Sequence, residues 1–148
     1  MLQEGLSFAL VAWCLSALAL AFGAWLGVRG LITPRWAQKL VRLEPDQQGG
    51  GFAEFRATYG GLFLGLHGAA LFFALSWIVF GGVLIGVLAT GACAVIAAAW
   101  GGAAAGRALS MLRDHTYTRF NLLSALFEAV LAIIIAAPWF VWSVGGAN

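Results

Sequence analysis

Residues 51–80 read GFAEFRATYGGLFLGLHGAALFFALSWIVF. The stretch opens with two charges, Glu54 and Arg56, and passes Tyr59 and the pair Gly60-Gly61. It then runs apolar to Phe80, with His67 its one side chain that readily carries charge. About 20 apolar residues in a row is the length that crosses a bilayer as a helix. In hydrocarbon each backbone N–H and C=O must find its partner inside the segment, which selects helix over an open strand. The stretch therefore reads as a charged threshold at Glu54 and Arg56 followed by a membrane span. A phosphate-cradling loop is the competing reading of the glycines, but no strand precedes them and no lysine follows.

Three further runs of the same kind flank it, at Leu6–Val28, Val83–Gly106 and Phe120–Val144. The helices they predict cover about 6–28, 55–80, 83–110 and 118–144. Composition agrees. Hydrophobic residues make up 62% of the 148-residue chain and charged residues 9%, against about 45–50% and about 25% in soluble domains. A soluble fold could not cover that much apolar surface, and the period-2 alternation of a membrane barrel is absent. The expectation is an all-α integral membrane protein, one domain over 1–148, built as an antiparallel bundle of four transmembrane helices. The amino terminus carries no positive charge before its apolar run, so that run reads as a retained span rather than a cleaved signal peptide.

All eight basic residues (Arg29, Arg35, Lys39, Arg42, Arg56, Arg107, Arg113 and Arg119) lie in or beside the connections 29–59 and 107–119. With four spans these two connections share a side. The positive-inside rule makes that side cytoplasmic and puts both termini outside. Trp25 and Trp100 then mark the cytoplasmic interface and Trp77, Trp139 and Trp142 the outer one. Pro138 should bend the outer end of the last helix. Gly81-Gly82 makes a tight turn. In the long connection, Thr33-Pro34 reads as an N-cap and a first-turn proline. A short interfacial amphipathic helix follows at about 34–43, with Trp36, Ala37, Leu40, Val41 and Leu43 on one face and Arg35, Lys39 and Arg42 on the other. Its basic face suits anionic lipid, while its plainest role is that of a connector. Glu44-Pro45-Asp46 should stop it, with a flexible joint from Gln47 to Gly51.

Glycines four apart recur: Gly23/Gly27, Gly61/Gly65, Gly82/Gly86 and Gly102/Gly106, with Gly60 beside them. Such pairs let helix backbones approach closely, within one chain or across a dimer. Among polar residues, Arg56, Gly60, Phe63 and His67 share one helix face, and Tyr117, Asn121, Ser124 and Glu128 share another. At a rise of about 1.5 Å per residue, His67 lies ~16 Å beyond Arg56 and Glu128 ~14 Å beyond Arg119, which puts both near the bilayer middle. A carboxyl there costs at least ~2.5 kcal/mol and needs a partner. His67 is the candidate by depth. Two readings follow. One is a cytoplasm-facing polar pocket of Arg56, Tyr59, His67, Arg107, Asn121, Ser124 and Glu128 that takes an amphiphile, such as a lipid, quinone or acyl group. The other is a satisfied polar clamp that fixes helix register.

Enzyme signatures are thin, with no paired-histidine metal motif, nucleophile elbow or phosphate loop. No cofactor, metal or catalytic residue is expected, and nothing suggests nucleic-acid binding at a net charge of +2. Cys14 and Cys93 fall inside apolar runs and read as free packing thiols. The segments EFRATYGGLFLGLHG (54–68), GRALSML (106–112) and FNLLSALFEAVLAII (120–134) resemble a family of small bacterial four-helix membrane proteins, domain of unknown function 4345. The resemblance covers about Glu54 to Ile135 and rests on Arg56, Tyr59, Gly60, Gly61, Gly106 and Arg107. It implies a four-helix inner-membrane protein and supplies no activity. The leading expectation is a non-catalytic accessory or structural subunit of a membrane complex, or a homo-oligomer, with membrane lipids and such a protein as partners. Carriage of an amphiphile is the alternative.

Overall fold

The structure is a computed structural model that describes residues 2–44, 48 and 50–145, with side chains described from residue 8 to residue 141. Pro45, Asp46, Gln47 and the Trp142 side chain lie outside the described residues. The described chain is all helical: α1 (Leu2–Ile32), α2 (Pro34–Val41), a single turn α3 (Gly51–Glu54), a π-helical segment (Phe55–Leu62), α4 (Phe63–Phe80), α5 (Val83–Arg113) and α6 (Arg119–Gly145). Four stretches are long and apolar enough to cross a membrane: Phe8–Ile32, Gly51–Phe80, Val83–Arg113 and Arg119–Val141. The spans predicted from the sequence are all present. Most helices run past the predicted ends, because the hydrogen-bond ladder does not stop where the apolar residues do.

Burial is inverted relative to a soluble protein. Large apolar side chains face outward, among them Phe72, Val79, Phe80, Val83, Leu84 and Ile133. Small residues make up much of the interior, among them Ala12, Ser16, Ala17, Ala70, Ala74, Ala89, Thr90 and Cys93, beside larger ones such as Trp13, Leu20 and Ile135. Water cannot tolerate that much exposed Phe, Val and Leu, whereas lipid can, and small interior residues let helix backbones pack closely.

Packing divides the chain into two compact units. One comprises Leu20–Phe72, the other the residues up to Ala19 and from Phe73 onward. In the second unit α5 and α6 pack along each other as an antiparallel pair. The buried face of α5 is Gly86, Ala89, Thr90, Cys93, Ile96, Ala97 and Trp100, a helical i, i+3, i+4, i+7 stripe.

The glycine turn between α4 and α5 is as the sequence predicts. Gly81 and Gly82 hold φ of 65° and 92°, a region that favours glycine. The Gly81 N–H closes α4 on the Trp77 carbonyl at 2.9 Å, and the Gly82 carbonyl accepts the first bond of α5 from Gly86 at 3.0 Å. Gly82 is therefore a turn residue rather than a packing one.

Thr33 does cap the backbone of α2, with Pro34 at its first turn, but its hydroxyl makes no capping bond. Its N–H instead finishes α1 on the Arg29 carbonyl at 2.8 Å. Proline has no N–H to carry that ladder further, so the chain breaks there and restarts as α2. α2 ends at Val41 rather than 43, because Arg42 turns left-handed at φ 58°.

Candidate functional site

The seven residues proposed to line a pocket fall in both units: Arg56, Tyr59 and His67 in one, and Arg107, Asn121, Ser124 and Glu128 in the other. Each group is described within its own unit.

In the unit of residues 20–72, the second half of α1 meets the π-helical segment backbone to backbone. A Cβ added at Gly27 would overlap the backbone of Leu64, and one at Gly30 the carbonyl group of Tyr59. From the other side, a Cβ at Gly60 would come within 2.8 Å of Leu31. Gly23, Gly27, Gly30 and Gly60 are thus close-approach positions. Gly65, Gly102 and Gly106 do not act this way, since a Cβ there would meet no neighbouring atom, and at Gly61 it would make only ordinary contact. The spacing rule counts glycines without knowing which face of a helix a neighbour occupies.

His67 fills the space that Gly23 leaves open, where an added Cβ would overlap its ring. The ring is buried, stacks on Phe63 with centroids 5.0 Å apart, and its Nδ1 lies 2.9 Å from the Phe63 carbonyl oxygen. A carbonyl only accepts, so Nδ1 carries the proton in that bond. Arg56 reaches back across the same unit, its Nε donating to the Leu31 carbonyl at 3.1 Å. That carbonyl belongs to the last turn of α1, whose C=O groups have no intrahelical partner, and a cation is the favoured cap. Tyr59 is half-buried, its ring 5.8 Å from that of Phe55. Beside them, Trp25 and Trp36 meet edge to face at 6.1 Å with Arg29 over both rings, tying α2 to α1.

In the other unit, Arg107 and Glu128 form a two-pronged ion pair. Nε donates to Oε2 at 3.1 Å and Nη2 to Oε1 at 2.7 Å. Glu128 is buried, and the Arg107 side chain is 33% exposed. Arg107, not His67, is therefore the partner in which the carboxylate engages both its oxygens. Arginine is long and forked, so it reaches down α5 to a carboxylate deeper than its own Cα. Asn121 donates through Nδ2 to the Thr116 carbonyl at 2.7 Å and through its N–H to the Thr118 hydroxyl at 3.1 Å. Its side chain thus braces the α5–α6 connection. Ser124 is half-buried one turn before Glu128. Tyr117 is exposed ahead of the first turn of α6 and shares no helix face with them.

A second polar contact in this unit escapes the sequence reading. The Ser16 hydroxyl donates to the Ile135 carbonyl at 3.2 Å and lies 3.5 Å from the Cys93 sulfur, all three residues buried. Pro138 has no N–H for the carbonyl four residues back, which loosens the α6 ladder at this turn. A neighbouring hydroxyl then bonds an adjacent carbonyl, the compensation expected in a membrane helix. Cys14 is exposed and both cysteines are free. Trp100, expected at the interface, is buried edge-on against Phe127 at 6.5 Å. Trp77 packs at 5.8 Å against the buried Trp13. Among the described residues, no three His, Cys, Asp or Glu side chains gather as a metal site would require.

Compared with known proteins, the chain matches no family model, no curated protein and no solved structure.

Proposed function

We propose that this chain is a non-catalytic integral membrane protein that acts by packing, as an accessory subunit of a larger membrane complex or as a homo-oligomer. The observation that carries this reading is the Arg107–Glu128 pair. A ligand site keeps a charged group available, whereas this carboxylate has both oxygens committed to one guanidinium of its own chain. Two other buried polar side chains follow the same pattern, Ser16 bonding Ile135 and His67 bonding Phe63. These bonds favour the clamp over an amphiphile pocket. The charge distribution supports a threading with both termini outside and the connections 29–59 and 107–119 cytoplasmic, and the bacterial inner membrane, with its periplasmic outer side, is what the resemblance implies. The resemblance to domain of unknown function 4345 belongs to the same proposal.

Purification of the full chain in mild detergent, with mass spectrometry of everything that accompanies it, tests the reading. A stoichiometric protein partner or a defined oligomer supports it. A monomer that carries a stoichiometric amphiphile, lost on Glu128→Gln, contradicts it. Orientation is tested with Asn148→Cys, at a residue outside the described ones: an impermeant maleimide should label it from the periplasmic side, and labelling only from the cytoplasm would reverse the threading.

A further inference from the structure

We propose that the cleft where α1 gives way to α2 binds the phosphate headgroup of an anionic phospholipid. The cleft has a volume of about 360 Å³ and is lined by Ile32, Thr33, Pro34, Arg35, Phe52 and Arg56, all within one unit. Among the described residues no carboxylate lines it.

Two guanidinium groups border the cleft, and neither is a loose surface arginine. Arg56 is anchored through Nε on the Leu31 carbonyl, which leaves its terminal nitrogens as further donors. Arg35 is steadied over the Phe52 ring at 5.8 Å. A guanidinium over a ring face still has its edge N–H groups to offer an oxyanion. The Thr33 hydroxyl, exposed and not used to cap α2, adds a third donor at the rim. Three donors around a small concavity suit the several acceptor oxygens of a phosphate. The rest of the lining is apolar, and Ile32 is strongly exposed at the end of a candidate span. A ligand held here thus has its charge beside two arginines and its continuation along an apolar flank, which is the layout of a phospholipid. The cleft also lies where charge and span meet, since Ile32 ends the first candidate span and Arg56 is near the start of the second. A plain connector helix needs none of this arrangement.

The test uses the full chain in detergent with phosphatidylglycerol or phosphatidylcholine of matched acyl chains, and native mass spectrometry to count retained lipid. One phosphatidylglycerol should be held in clear preference to phosphatidylcholine. Arg35→Gln should weaken it roughly fivefold, and Arg35→Gln with Arg56→Gln roughly twentyfold. Arg113→Gln with Arg119→Gln removes the same charge from residues that do not line the cleft and should leave retention unchanged. Arg56→Gln also removes the cap on α1, so Arg35→Gln, which loses only a ring contact, carries the result if the double variant fails to fold. Equal retention of the two lipids overturns the proposal, as does an equal loss in the Arg113/Arg119 variant. Glycerol 3-phosphate bound as tightly as the lipid would also overturn it, in favour of a soluble phosphate ligand.

Discussion

Arg107 and Glu128 meet edge to edge, each nitrogen of the pair facing its own carboxylate oxygen at 3.1 Å and 2.7 Å. The two residues sit on the antiparallel helices α5 and α6, on either side of the 114–118 connection. The bond therefore fixes the register of that hairpin as well as neutralising a buried charge. A buried pair gives little net stability over an apolar substitute, but removing one member leaves an uncompensated charge.

That asymmetry sets the first prediction. Arg107→Leu and Glu128→Leu should each destabilise the protein, by about 3 kcal/mol at most, since Arg107 is partly exposed and the pair is correspondingly screened. The double variant should lose clearly less than the sum of the two. Thermal unfolding in detergent, followed by circular dichroism, reads the coupling; strict additivity would mean that the bond holds nothing.

Glycine position decides the second. Gly27→Ala should cost ~1–3 kcal/mol, because the new methyl group meets Leu64 backbone, which cannot move aside alone. Gly65→Ala and Gly102→Ala meet no neighbour, so they should be neutral or stabilise by up to about 1 kcal/mol through helix propensity. Equal effects at all three positions would contradict the close approach of α1 to the π-helical segment. The same unfolding assay applies.

Ser16 and Pro138 should be coupled. Ser16→Ala removes the donor to Ile135 and should cost about 1 kcal/mol. In a Pro138→Ala background, where α6 regains its N–H, the same substitution should cost less. An undiminished cost would mean that the hydroxyl does not answer the proline.

The two thiols should differ in reactivity. Cys14 is exposed and Cys93 wholly buried against Ser16. A membrane-permeant maleimide added to the detergent-solubilised protein should therefore modify one thiol in the folded state and a second only after denaturation. Peptide mapping identifies which; early modification of Cys93 would refute the packing around it.

The spans and the glycine turn were readable because both follow from local chemistry: run length, basic residues at the ends, and two glycines with nothing between the apolar runs. The partner of Glu128 was not, although a signal for it existed. Matching depth from the membrane boundary picks His67, but Arg107 is nearly as far back from the α5–α6 connection as Glu128 is forward of it, and its side chain spans the difference. His67 was misleading because its ring answers to its own helix, at Phe63, and to the gap at Gly23. The π-helical segment at 55–62 left no mark in the apolar pattern. It coincides with Gly60-Gly61 and with the approach of Gly27 and Gly30, which only tertiary packing reveals.

The central claim is that the charged pair inside the spans is a clamp and not a ligand site. Native mass spectrometry of the full chain beside the Arg107→Leu/Glu128→Leu variant tests it most directly. The account predicts the same oligomeric state and the same accompanying proteins for both, with no small molecule lost. A stoichiometric small molecule held by the natural chain and absent from the variant would contradict it.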